Sequence, residues 1–200
     1  MEQAQGSLLI AGTSHVGKTT FAAKLANALG WHLDSTDRLA RHPGRPWPAP
    51  PPAVMEFYTS LSSETIHWFL RVHHANMRPL LQRRIEDMHR THRGFILEGS
   101  ALRPEYIANL APASAVSVFL HAEAGFLRER ICREADYDHA DAHTRTAIDR
   151  FIERSLRDNI ELEAAARRHG MKRVNVADRN ALDGLYEELL QRFADENNAQ

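Results

Sequence analysis

Apolar residues along this 200-residue chain fall into two rhythms. Unbroken runs of strand length occur at Ser7-Leu8-Leu9-Ile10-Ala11, at Gly94–Gly99 (GFILEG) and at residues 115–120 (AVSVFL). Such short runs, rich in Leu, Ile, Val and Phe, predict strands buried on both faces. Trp31–Asp34 and the KRVNVAD segment starting at Lys172 add two more strands. Elsewhere the apolar positions follow helical spacing. Phe21, Ala22, Leu25, Ala26 and Leu29 predict a first helix, and Leu182, Leu185, Tyr186, Leu189, Leu190 and Phe193 a closing one. A helical pattern resumes near Val54 and runs through Ile66, Phe69, Leu70, His73 and Met77. Pro79 is expected to start or kink the next helix, which carries Leu80, Leu81, Ile85 and Met88. Charged helices then run from about Ala122 to Arg168, interrupted by EADYDHADAHT. No internal repeat is present.

Strands alternating with helices predict an α/β fold with a parallel sheet covered on both faces. Ligands of such sheets bind beyond the carboxyl ends of the strands. That rule gathers the residues after each apolar run along one edge: Gly12–Thr19, Asp34–Asp37, Glu98–Arg103, His121 and Asn175–Asp178.

The first of these segments carries chemistry of its own. Residues 12–20, GTSHVGKTT, fill the pattern G-x-x-x-x-G-K-[ST] with Gly12, Gly17, Lys18 and Thr19. Glycines let successive backbone N–H groups turn inward around a di- or triphosphate, and the following helix sets its positive end beneath it. The whole loop, Gly12, Thr13, Ser14, His15, Val16, Gly17, Lys18, Thr19 and Thr20, is the predicted nucleotide cradle. Lys18 faces the β and γ oxygens, and the Thr19 hydroxyl is placed for Mg²⁺. His15 stands where many such loops have glycine, and histidine is among the residues that tolerate positive φ. The strand before and the helix after supply the context that the motif requires.

Composition narrows the rest. An apolar fraction of 43% is sufficient for a real core, and the length suits one domain with a mobile insertion. The net charge of −1 gives no sign of a nucleic-acid or membrane surface. Only three lysines occur, Lys18, Lys24 and Lys172, among many arginines. Cys132 is alone, which fits a reducing cytoplasm. The start, MEQAQGS, is polar and runs straight into the first strand, leaving no room for a signal peptide, and no apolar stretch approaches transmembrane length.

With GTSHVGKTT, STD (residues 35–37) and ILEG (residues 96–99), the chain resembles the small P-loop kinases of metabolites and nucleotides, a group that includes adenylate, shikimate and gluconate kinases. The match is nearest to 2-phosphoglycerate-kinase-like proteins. The resemblance implies an ATP- and Mg²⁺-dependent phosphotransferase with a five-stranded parallel sheet in the order 2-3-1-4-5. It implies an acceptor-binding helical insertion at about 38–93 and a lid at about 125–157. In this group a carboxylate at the place of Asp37 faces the acceptor hydroxyl or the metal shell, and one at the place of Glu98 holds Mg²⁺ through water or orients the acceptor. Gly99 would let the acceptor approach the backbone, and Arg103 stands one place later than the arginine of the family pattern. Arg130 would enter the lid and lie against the nucleotide. Read by residue type alone, Asp34, Ser35 or Asp37 serves equally as a helix cap.

The remaining signals concern the acceptor. Arg133, Arg150, Arg154 and Arg157 follow Arg130, but interleaved acids predict that most of them make i,i+4 pairs on solvated faces. Arg38, Arg41 and Arg45 follow Asp37 and suit an anionic acceptor. The proline-stiffened RHPGRPW segment, with Trp47, reads either as an anion- or ring-binding wall or as an extended connector. DYDHADAH reads as a polar lid loop rather than a metal site. A nucleotide-driven switch is the rival reading. No N-K-x-D sequence favours guanine, and a polynucleotide substrate would want a basic groove.

Overall fold

The computed structural model describes residues 6–112 and 114–198, so most of the polar MEQAQGS start lies outside the described residues. Five strands form one all-parallel sheet: β1 Gly6–Ala11, β2 His32–Ser35, β3 Gly94–Gly99, β4 Val116–His121 and β5 Lys172–Asn175. Their order is β2-β3-β1-β4-β5, as the resemblance implied. The three central strands are the three apolar runs. In β1 and β3 every residue is buried, because helices cover both faces.

Among the described residues seven α-helices accompany the sheet: α1 Lys18–Leu29, α2 Pro52–Ser60, α3 Ser63–Thr91, α4 Pro104–Leu110, α5 Ala124–Glu134, α6 Ala142–Arg168 and α7 Arg179–Asn198. One sheet face, Leu8, Ile10, Ile96, Val118 and Leu120, packs on Phe21 and Leu25 of α1 and on Leu185, Leu189 and Phe193 of α7. The other face, Leu9, Ala11, Phe95, Leu97 and Phe119, packs on Met77, Leu81, Ile85 and Met88 of α3, with Ile107 and Leu162 from α4 and α6.

Pro79 neither starts a helix nor ends one. It lies inside the 29-residue α3. Proline removes one backbone donor and crowds the preceding turn, but the flanking Met77, Leu81, Ile85 and Met88 are anchored on the sheet and hold the helix through it. The true break comes earlier, at Leu61 and Ser62. There the Ser62 hydroxyl accepts from the Thr65 N–H at 3.1 Å and caps α3. The second half of α3 thus covers the sheet, and only its first half stands clear with α2.

That outer part has its own core. Trp47, Val54, Tyr58 and Ile66 pack with Ile131 of α5 and with Ala147, Ile148, Phe151 and Ile152 of α6. The Trp47 ring is 7% exposed and meets Phe151 edge-on at 4.8 Å, so it is core and not a ring-binding wall. Burial of side chains this size contributes up to ~3 kcal/mol each, which fixes the residues after Asp37 against the expected lid helices. DYDHADAH closes the gap between α5 and α6. Asp141 caps α6 by accepting from the Thr144 N–H at 2.7 Å, and His139 pairs with Asp136.

Candidate active site

The loop after β1 turns through His15 at φ 66° and Gly17 at φ 90°, and α1 begins at Lys18. No side chain caps α1, so its first N–H groups face the loop and are free for an anion. Lys18 is buried, and its Nζ donates to the Thr13 carbonyl at 2.8 Å, drawn across the mouth of the loop. Burial lowers its pKa, while Glu98, Asp37 and Asp158 act in the opposite direction.

A buried brace holds the loop from behind. The Thr13 hydroxyl lies 3.1 Å from the Ser155 carbonyl and 3.2 Å from Asp158 Oδ2. Asp158 Oδ1 in turn accepts from Arg103 at 3.1 Å, and Arg103 also donates to Glu105 at 2.7 Å. Arg103 was expected to meet substrate. It is 1% exposed, takes no part in lining the cavity described below, and neutralises Asp158. Burial raises the Asp158 pKa, opposed first by Arg103 and then by Arg154.

His15 is tied to the other side. Its side chain is 2% exposed, within 3.3 Å of Glu134 and against Trp47 and Phe151. Burial above all brings its pKa down to about 4, with Arg45, Lys18 and Arg154 adding to the effect and Glu134 opposing it. The ring is therefore neutral near pH 7, and Glu134 takes its charge partner from Arg45 instead.

The carboxylates come together by strand order. Glu98, 3% exposed, stands at the end of β3, and the Thr19 hydroxyl donates to its Oε1 at 3.1 Å. At Gly99 a Cβ would fall 1.8 Å from Thr36 Oγ1. Glycine here admits Thr36, which seats the turn carrying Asp37 beside the end of β3, and Gly99 also lines the cavity described below. The Asp37 N–H is accepted by Ser35 Oγ at 3.4 Å, which leaves its carboxylate on the cavity. Asp34 is the structural carboxylate. It accepts from Arg84 of α3 at 2.6 Å and from the Ser35 N–H at 2.8 Å. The Thr19 hydroxyl and Glu98 are hard oxygen donors in contact, a pair that fits Mg²⁺ beside the phosphate loop, and Asp37 lines the same cavity.

The arginines divide. Arg133 pairs with Glu129, Arg150 with Glu153, and Arg157 with Glu64 and Glu161. Arg38 is exposed and 3.8 Å from Asp34, and Arg41 is exposed on a shallow rim. Among the described residues, Arg130 and Arg154 have no carboxylate within ion-pair distance. A Cβ on Gly17 would lie 3.3 Å from Arg130 Nη1, so this guanidinium lies over the phosphate loop. Arg154 lies over the Phe151 ring at 4.3 Å and within 3.4 Å of Ser14 Oγ and Tyr58 Oη.

Two cavities flank the loop. The larger, about 250 Å³, is lined by Ser14, Lys18, Thr19, Asp37, Arg45, Glu98, Gly99, Arg130 and Arg154 at one end. Phe57, Ile66, Phe69, Leu70, His73, His74 and Met77 line the other end. The smaller, about 200 Å³, lies between α1 and α7 and is lined by Val16, Phe21, Lys24, Leu120, Val176, Leu182 and Tyr186. Lys24 Nζ sits 3.9 Å from the centroid of the Tyr186 ring there. Gly17, Thr20 and Arg130 line both cavities.

No protein-family model matches the chain, and no curated protein matches it in sequence. Solved structures match it over nearly its whole length. A gluconokinase from Sinorhizobium meliloti 1021 superposes with a TM-score of 0.52 at 20% identity, over 98% of this chain and 99% of that one. Shikimate kinase from Aquifex aeolicus vf5 gives 0.51 at 17% identity, over 96% and 98%. Deoxyadenosine kinase from M. mycoides, with bound dATP, gives 0.54 at 10% identity, over 92% and 98%. The chain has the fold of the P-loop nucleotide and small-molecule kinases.

Proposed function

We propose that this protein is an ATP-dependent phosphotransferase that moves the γ-phosphoryl group of Mg-ATP to a hydroxyl of a small molecule. One observation carries the reading. Two cavities of different character share a wall made of Gly17, Thr20 and Arg130, on the phosphate loop itself. A nucleoside in the α1–α7 cavity, against Tyr186 and Lys24, would lay its triphosphate along the loop toward the larger cavity. A nucleotide-driven switch needs only the smaller of the two.

Phosphoryl transfer asks the protein chiefly for positioning and charge neutralisation. Lys18 leaves the Thr13 carbonyl for the β and γ oxygens, and the free N–H groups of α1 bind the same phosphates. Arg130 and Arg154, unpaired with any described carboxylate, approach the transferring group from the lid side. Thr19 and Glu98 would hold Mg²⁺, which when bound neutralises charge on the β and γ oxygens. Asp37 orients the acceptor hydroxyl and takes its proton. The acceptor oxygen bonds to the γ-phosphorus, the bond from that phosphorus to the β–γ bridging oxygen breaks, and ADP leaves with the electron pair. The outer core built on Trp47 and Phe151 holds α2 and the first half of α3 against α5 and α6 beside this reaction, which excludes water and disfavours hydrolysis.

An anionic acceptor was expected from Arg38, Arg41 and Arg45. Arg38 and Arg41 are exposed at the rim, and Arg45 lines the larger cavity while paired with Glu134. No helix among the described residues is long and apolar enough to cross a membrane, and Cys132 is a free thiol. We assign the protein to the cytoplasm, where ATP is supplied, with no nucleic-acid partner. Incubation with γ-labelled Mg-ATP and a fractionated metabolite extract tests the reaction. Label is expected on an organic product, and label released only as free phosphate would overturn it.

A further inference from the structure

We infer that the acceptor is an uncharged alcohol with a ring or similarly apolar body, held with its hydroxyl toward Asp37 and its body against the first half of α3. This rests on the phosphotransferase reading and names the substrate class for it.

The larger cavity is divided by charge. Every lysine or arginine that lines it, Lys18, Arg45, Arg130 and Arg154, is on the phosphate loop, the RHPGRPW segment or the α5 and α6 helices. The opposite wall, from α2 and α3, offers Phe57, Phe69, Leu70 and Met77, with His73 and His74 as its polar members. Phe57 meets Phe69 edge-on at 5.3 Å, and Phe69 lies parallel to His73 at 6.1 Å, their planes 4° apart, so three rings form one continuous face. Phe69 is 38% exposed although it lines a cavity. An aromatic surface left open inside a cleft gains by covering with an apolar partner, whereas a sugar acid would strip water from its hydroxyls and carboxylate against it for no return.

The two histidines reinforce this. His74 is 2% exposed, and burial lowers its pKa well below the usual imidazole range, with Arg103, His73 and Arg154 adding to the effect. His73 is lowered too, by burial and by His42. Both are neutral near pH 7, so the wall presents hydrogen-bonding edges without a formal charge to match a carboxylate or phosphate. A carboxylate placed against Phe57, Phe69, Leu70 and Met77 would be desolvated with no lysine or arginine of the cavity lining on the same two helices to pair with it, at a cost of several kcal/mol. In the transfer step the alcohol oxygen bonds to the γ-phosphorus, its proton passes to Asp37, and the bridging oxygen leaves with ADP.

Four probes that vary ring and charge separately test the assignment: 3-phenylpropane-1,2-diol, 3-phenyllactate, glycerol and glycerate. Binding to the full-length protein saturated with Mg-ADP is measured by calorimetry, and transfer from γ-labelled Mg-ATP is measured in parallel. The phenyl diol is expected to bind at least tenfold more tightly than any of the other three, and Phe69→Ala is expected to abolish that preference while Mg-ADP affinity is unchanged. Equal or tighter binding of 3-phenyllactate or glycerate overturns the proposal, as does a diol no better than glycerol. The two readings fail separately: a diol that binds with this preference while label appears only as free phosphate leaves the acceptor wall standing and removes the transferase. Transfer to glycerate in preference to the diol does the reverse.

Discussion

The two cavities beside the phosphate loop are close in size and opposite in design. The one between α1 and α7 is built from a helix face and strand ends, with Tyr186 packed against the main core and the exposed Lys24 over its ring. It contains no histidine among its lining residues, and its walls belong to elements that the parallel sheet fixes directly. The other is enclosed by α2, the first half of α3 and the α5–α6 pair, which pack mainly on one another around Trp47 and Phe151. Its lining includes His15, His42, His73 and His74 and holds the acidic side chains Asp37, Glu98 and Asp158. The difference teaches where generality and individuality lie. On the proposed reading, the donor side is built by elements of the sheet's main core, and the acceptor side by α2, the first half of α3, α5 and α6 around a core of their own.

Substitutions should therefore separate by side. The largest effect is expected at the shared boundary. Lys18→Ala removes the cation facing the transferring phosphoryl group and should lower transfer by about 10²–10³-fold, with little change in thermal stability because Lys18 is not part of the apolar cores and donates to the Thr13 carbonyl across the loop. Normal turnover in that variant would break the comparison at its root. Asp37→Asn comes next. It should slow transfer roughly 10²-fold yet leave Mg-ATP affinity in calorimetry unchanged, because Asp37 serves the acceptor side. An Asp37→Asn protein with full activity would reduce this residue to part of the turn that Ser35 caps.

Tyr186→Ala should do the converse. Losing the ring beneath the base is expected to raise KM for ATP by up to about tenfold and to leave acceptor binding alone. The smallest effect is acid sensitivity. His15 and His74 have folded pKa values below the unfolded imidazole value, so the unfolded chain takes up their protons first as the pH falls. Their contribution to stability is full above about pH 6.5 and is lost as the pH drops toward about 4, the value for His15. His15→Asn, which tolerates the same positive φ, should flatten the fall of Tm over that window. Tyr186→Ala should not.

Much of this was legible in the sequence, for physical reasons that also explain what was not. A strand buried on both faces has to be an unbroken apolar run, so β1, β3 and β4 declare themselves locally. The phosphate loop does so too, since its glycines and Lys18 act through backbone spacing. Pro79 does not start a helix, because its local penalty is set against sheet contacts that the local pattern does not contain. The cap at Ser62 had a signal, a serine followed by Ser63, Glu64 and Thr65, which the continuous apolar pattern masked. Trp47 was ambiguous because its partners, Ile148 and Phe151, lie about a hundred residues away and on helices whose sequence reads as charged. Arg154 also had a signal. It falls three residues after Phe151 and four before Asp158, at the edge of the buried stripe of α6, but it stands at the same helical spacing from Arg150 and Arg157. Only the folded chain separates it from its neighbours by showing which of them acids already hold. Arg103 was legible as important and not in kind, because its partner Asp158 is contributed by α6.

The assignment of donor and acceptor sides is tested most directly by a crystal structure of the protein with Mg²⁺ and a non-hydrolysable ATP analogue. The expected result is the adenine ring against Tyr186 and Lys24, the β and γ phosphates on the loop with Lys18 turned away from Thr13, and the cavity facing Phe57, Phe69 and Met77 left open to an acceptor. An adenine ring seated on that aromatic wall instead, with the α1–α7 cavity vacant, would contradict the account.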